Sequence, residues 1–147
     1  MTAHTHPATR ESHAFGIALT VAIVALTLTT AYIHLGLGGM LFTLNAIGYA
    51  GLAALYVVGS AAPHPLVARF SWFPRVALAG YAAITIVAWL VQGPYFQLAY
   101  IAKGVEITLI GLIALDVFRV YGSPLAMVRA AVASVFGSSN RGGVAAA

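Results

Sequence analysis

The chain contains no cysteine, and only 7% of its 147 residues carry a charge. The first absence excludes disulfides, thiolate metal sites, iron–sulfur ligation and haem attached through Cys. The second excludes an ordinary water-soluble domain, where roughly 25% of residues are charged and face water. Acidic residues are the scarcest, three against seven Lys and Arg, which leaves a formal net charge of +4. In a soluble protein that sign would suggest nucleic acid. Here the basic residues stand singly at the ends of apolar runs, with no cluster to meet a polyanion, so nucleic acid is not an expected partner.

What is plentiful is apolar. Hydrophobic residues make up 61% of the chain, and the mean hydropathy is +0.95. A helix crossing a ~30 Å hydrocarbon core needs about 20 apolar residues. Ala14–Leu35, Leu41–Ala61, Val76–Gln92 and Leu98–Phe118 supply such stretches or come close. Gly36, Gly38 and Gly39 break the first from the second; Pro63, Pro65 and Pro74 mark the next connection as a loop; Gly93 and Pro94 turn the chain again. The sequence therefore predicts an all-α integral membrane protein, a four-transmembrane-helix bundle occupying residues 14–118. A polar segment, residues 1–13, precedes it, and a tail, residues 119–147, follows. The first span is too long for the apolar region of a cleaved signal peptide and reads as a retained helix. In the tail, Pro124–Phe136 is apolar around Arg129 and reads either as an interfacial helix or as disordered. The remainder is rich in Gly, Ser and Ala and reads as disordered.

Orientation follows from the basic residues. Arg10, Arg69, Arg75, Arg119 and Arg129 all fall on one side of the four spans, while the connections 36–40 and 93–97 contain neither Lys nor Arg. The positive-inside rule makes that side cytoplasmic, with both termini there, in a multi-pass protein of the plasma membrane.

The polar residues fall in stripes. At 100° per residue, positions i, i+4, i+7 and i+11 share a helix face. Thr20, Thr27 and His34 share one on the first helix, with Gly16 and Thr30 beside them. Asn45, Tyr49 and Tyr56 share one on the second, Tyr81, Thr85 and Gln92 on the third. On the fourth, Lys103 and Glu106 are spaced to pair directly. Lipid cannot satisfy such groups, so the stripes should converge on the bundle interior. Counting about 1.5 Å per residue from the non-cytoplasmic ends, the polar groups concentrate in the outer half. His34 and Gln92 lie near its mouth and Tyr49, Thr85 and Glu106 deeper. Asp116 lies near the opposite surface, spaced to pair with Arg119. A second face of the fourth helix carries Gly104, Thr108 and Gly111, small residues that let helix backbones approach closely.

Lys103 and Glu106 are the charges deepest in the membrane. They read equally as a salt bridge fixing helix register and as a ligand or proton site. Tyr49 should find a hydroxyl or carboxylate partner, Glu106 or a Thr. Trp89 and the remaining tyrosines read as interfacial or packing residues. Haem ligation by His34 lacks a second His at its depth, no metal site is expected, and no cofactor is required. No nucleophile–base pair, phosphate loop or metal-ligand spacing occurs in a usable place, which argues against an enzyme. The leading expectation is a small membrane binding or transport module. Its polar site, open to the non-cytoplasmic side, would be lined by His34, Asn45, Tyr49, Thr85, Gln92, Lys103 and Glu106. The alternative is a non-catalytic accessory subunit, or a homo-oligomer, packed through the Gly104, Thr108 and Gly111 face. A haem-binding subunit is the third reading.

Overall fold

The computed structural model describes residues 7–137, so residues 1–6 of the polar N-terminal segment and 138–147 of the tail lie outside that range, while residues 7–13, expected to precede the first helix, are its first two turns. Within it the chain forms α1 (Pro7–Leu37), α2 (Met40–Ala61), α3 (Pro65–Arg69), α4 (Trp72–Gln92), α5 (Gln97–Tyr121) and α6 (Pro124–Phe136). Four stretches are long and apolar enough to cross a membrane: His13–Leu37, Met40–Ala61, Trp72–Gln92 and Gln97–Tyr121. They pack as an up-and-down bundle with the ring order α1, α2, α4, α5. The protein is an all-α four-helix membrane bundle.

Local chemistry sets the helix ends. Gly38 and Gly39 take φ values of 70° and 82°, a left-handed conformation that residues with a Cβ adopt only under strain. The connection between α1 and α2 can therefore be two residues long. The connection after α2, expected as a loop through Arg75, contains α3 and the first turn of α4. Pro65 opens α3, and the exposed His64 Nδ1 accepts the Leu66 N–H at 3.3 Å. Pro74 lies in the first turn of α4, where a missing N–H leaves no helical bond unmade. Proline thus starts these helices and does not exclude them, and α4 begins four residues before the expected Val76. Arg75 consequently belongs to a helix.

The bundle is apolar on its outside. Leu28, Ile47, Val87 and Ile107 are each at least 48% exposed, as a surface facing hydrocarbon requires. The core around Ile23, Leu78 and Leu109 is closed, and polar groups are buried on either side of it along the bundle axis. Gly48 lies so close to Tyr81 that a Cβ there would sit 2.7 Å from the ring carbon Cζ; the missing side chain lets α2 and α4 approach at this level. At the other end of the bundle, α6 packs on α4 and α5. Trp72 Nε1 donates to Ser134 Oγ at 2.9 Å, and Arg69 donates through Nε to the Ser134 carbonyl at 2.8 Å, with its Nη2 on the same oxygen.

Candidate functional site: a charged cluster under an open pocket

At the end that carries the short α1–α2 and α4–α5 connections, the polar stripes meet. Glu106 on α5 is fully buried. Its Oε2 lies 2.6 Å from Lys103 Nζ, one turn away on the same helix. Its Oε1 accepts the Thr30 hydroxyl of α1 at 3.2 Å, and His34 Nε2 stands 3.7 Å from the same oxygen. His34 Nδ1 lies 2.8 Å from the Thr30 carbonyl. A carbonyl only accepts, so Nδ1 carries a hydrogen. Lys103 also donates to the Thr85 carbonyl at 3.3 Å.

A second set of bonds joins α2 to α4. The Tyr49 and Thr85 hydroxyls are 2.8 Å apart, and Thr85 Oγ1 donates to the Ala82 carbonyl, also at 2.8 Å. With the Thr85 proton committed there, Tyr49 is the donor to Thr85. The Tyr49 ring lies 5.6 Å from the His34 ring and meets the Tyr81 ring edge-on at 4.9 Å. The Tyr81 hydroxyl donates to the Asn45 carbonyl at 3.4 Å.

Above this cluster a cavity of about 320 Å³ opens between α2, α4 and α5. Its polar lining includes His34, Asn45, Tyr81, Thr85, Gln92 and Lys103, and its walls include Phe42, Ile84, Trp89 and Phe96. Trp89 is more than an interfacial ring. Its Nε1 donates to the Pro94 carbonyl at 2.9 Å, and it packs edge-on against Tyr95 and Tyr100. That holds the α4–α5 connection as one wall of the opening. Tyr49 and Glu106 do not line the cavity but lie beneath it, bonded or packed to residues that do. The seven residues singled out from the sequence therefore come to one place, five on the cavity surface and two under it.

Thr30 is the direct partner of Glu106 that the sequence pattern ranked low, because it sits beside the main stripe of α1. His34 was expected at the mouth, yet it is only 4% exposed. The cause is that α1 runs on to Leu37, which sinks His34 deeper than an end at Leu35 would. Both ring nitrogens face protein oxygens, so the haem reading draws no support from this geometry. Among the described residues no three of His, Cys, Asp and Glu gather as a metal site.

A second charged cluster lies at the opposite end. Asp116, ten residues after Glu106 and about 15 Å further along α5, is fully buried. Its Oδ1 accepts Arg119 Nη2 at 2.7 Å, as the spacing predicts. Its Oδ2 accepts Arg75 Nε at 2.8 Å and the Tyr56 hydroxyl at 2.6 Å. Arg75 also donates to the Ser71 carbonyl at 2.5 Å, and the Ser71 and Tyr121 hydroxyls are 2.8 Å apart. This network ties α2, α4 and α5 together. Sequence reasoning missed it because Arg75 had been placed in a loop; the Pro74 beside it, a common residue in a first helical turn, was the available signal.

The face carrying Gly104, Thr108 and Gly111 points away from the bundle. Nothing lies within 4 Å of a Cβ built at either glycine, and Thr108 Oγ1 donates to the Gly104 carbonyl of its own helix at 2.8 Å.

Comparison with protein-family models, with curated proteins and with solved structures finds no match for this chain.

Proposed function

We propose that this protein is a small membrane binding module whose site is the outer pocket, open to the non-cytoplasmic side. The observation that carries the reading is the floor of that pocket: Lys103, His34, Asn45 and Thr85 line a cavity of about 320 Å³ directly above the fully buried Glu106. That volume falls at the lower end of the ~300–1,000 Å³ range of small-molecule sites. A salt bridge serving only to fix helix register needs no such space over it. Binding is favoured over conduction because the fully buried Ile23, Leu78 and Leu109 fill the bundle between the outer and inner clusters. The one-sided basic residues support an orientation with the pocket end outside and the termini in the cytoplasm.

The reading is tested by cysteine accessibility in intact cells, the chain having no cysteine of its own. Asn45→Cys in the pocket should react with a small membrane-impermeant thiol reagent added outside, and Ala68→Cys on α3 should react only after permeabilisation. Reaction at position 68 alone would invert the orientation, and an inert position 45 would close the pocket.

The accessory-subunit reading rests on one observation, the outward face of Gly104, Thr108 and Gly111 on which nothing of this chain packs. Such a face fits a close helix contact with a second copy or a larger complex, and it is compatible with a binding role for the pocket.

A further inference from the structure

The pocket reaches the lipid-facing surface as well as the mouth. Leu44 on α2 and Ile84 on α4 both line it, and they are 57% and 68% exposed on the outside of the bundle. Each continues an exposed apolar stripe of its helix, Leu44 with Ile47 and Ile84 with Val87. Ile84 stands eight residues before Gln92, the last residue of α4, which puts it about 12 Å below that end. The gap between α2 and α4 therefore opens into hydrocarbon, and a molecule dissolved in the bilayer can reach the cavity sideways. Phe42, Tyr81, Trp89 and Phe96 line the cavity, so the body of such a molecule meets rings and aliphatic carbon.

What the floor offers that molecule follows from which polar groups are already spent. Lys103 and Glu106 balance one another at 2.6 Å. His34 turns both ring nitrogens to protein oxygens, Nδ1 to the Thr30 carbonyl and Nε2 toward Glu106. The Thr85 hydroxyl receives the Tyr49 proton and gives its own to the Ala82 carbonyl. Two groups remain. Lys103, only 7% exposed, has three N–H donors, of which Glu106 and the Thr85 carbonyl take two. Asn45 uses its main-chain carbonyl for Tyr81 and keeps its side-chain amide for the cavity it lines. An ion entering here would give up its hydration and meet no unmatched countercharge. A carbonyl oxygen has two lone pairs and no charge to desolvate. It can accept the third Lys103 N–H together with an Asn45 N–H, and a bond from an ammonium is stronger than one between neutral groups.

We infer that the outer pocket takes an uncharged, lipid-dissolved carbonyl compound, whose oxygen is held by Lys103 and Asn45 and which enters from the bilayer between α2 and α4. This rests on reading the pocket as a binding site. A membrane ketone or quinone and a lipid ester share this chemistry.

The test is photolabelling of the full chain in nanodiscs of ether-linked phosphatidylcholine, a bilayer with no carbonyl of its own. The probe is 4-hexylbenzophenone, whose irradiated carbonyl inserts into a neighbouring C–H bond, so the labelled residue marks where the oxygen sits. Labelling should saturate and map to Asn45, Thr85, Ala102 and Lys103. Competitors are compared by their mole fraction in the bilayer. 2-Undecanone should displace the label about tenfold or more better than dodecane, a chain of the same size without an acceptor, as a bond from a charged donor allows. It should also displace it better than decanesulfonate, which carries a charge. Asn45→Leu keeps the salt bridge and should lower the preference for ketone over dodecane by about threefold, the worth of one neutral bond. Lys103→Met should remove the rest. The ranking of competitors is read on the parent protein and needs no variant to fold. Equal displacement by 2-undecanone and dodecane, or stronger displacement by decanesulfonate, would overturn the inference and leave the pocket as a binding site of another kind. Labels scattered over the lipid-facing surface without saturation would also overturn it, and the reading beneath falls with it only when position 45 is inert to the impermeant thiol reagent as well. Methyl decanoate in place of 2-undecanone separates the two sources: either one outcompeting dodecane supports the inference, and the stronger identifies the natural class.

Discussion

Replacing Glu106 by Gln is the perturbation whose consequence the structure defines best. Lys103 Nζ sits 2.6 Å from Glu106 Oε2. At that separation two unit charges attract by about 6 kcal/mol at an effective dielectric constant of about 20, before the desolvation of both is counted. With Lys103 only 7% exposed, removing the carboxylate strands a buried ammonium, which costs about 3–5 kcal/mol. Lys103→Met should cost somewhat less, because the carboxylate it leaves behind keeps the Thr30 hydroxyl as a donor at 3.2 Å. The double variant Lys103→Met with Glu106→Gln removes both charges and should recover to within about 1–2 kcal/mol of the parent. The coupling energy should then be at least about 2–3 kcal/mol, at the top of the range for contacting residues. Reversible unfolding in mixed micelles, followed by tryptophan fluorescence for all four proteins, gives these energies. Two single variants that each lose less than about 1 kcal/mol, or a double variant as unstable as the sum of the singles, would refute the assignment of a tightly coupled buried pair.

Asp116→Asn should destabilise by a similar ~3–5 kcal/mol, since it strands Arg75, which is 3% exposed. Arg119→Ala should cost far less because its side chain is 34% exposed, and the same unfolding assay compares them. Gly48→Ala sets a Cβ 2.7 Å from Tyr81 Cζ and should cost about 1–3 kcal/mol as an overpacked contact, again read by unfolding. Replacing Gly104 and Gly111 by Leu should leave monomer stability unchanged, nothing lying within 4 Å of either position, while weakening any self-association or co-purifying complex; size-exclusion profiles in mild detergent test both halves of that statement.

The four spans were legible because apolar runs of helical length, separated by glycine and proline, have few other physical solutions. Their ends were less so. Proline reads as a breaker, yet Pro65 and Pro74 lie in first turns, so the sequence placed Arg75 in a loop and could not pair it with an Asp116 that lies 41 residues away. The outer site was more visible. Helical periodicity and a depth count bring Tyr49, Thr85 and Glu106 close to one level, with Asn45 and Lys103 somewhat nearer the mouth, without any long-range information. His34 was placed too shallow by an error of two residues in the end of α1. Thr30 as a carboxylate partner, and the cavity itself, depend on how four helices lean against one another, which periodicity does not encode. The direction of the Gly104, Thr108 and Gly111 face, opposite the Glu106 stripe, could be read from the helical wheel alone.

The claim on which the account turns is that the outer pocket holds a small molecule. Native mass spectrometry of the full chain, released from its own membrane in mild detergent, tests it most directly when paired with Ala88→Phe. That substitution sets a ring on the pocket lining while leaving every residue of the charged cluster in place. The account predicts one small adduct per chain in the parent protein and its loss from a normally folded Ala88→Phe protein. An identical adduct pattern in both, or no adduct in either, would contradict it.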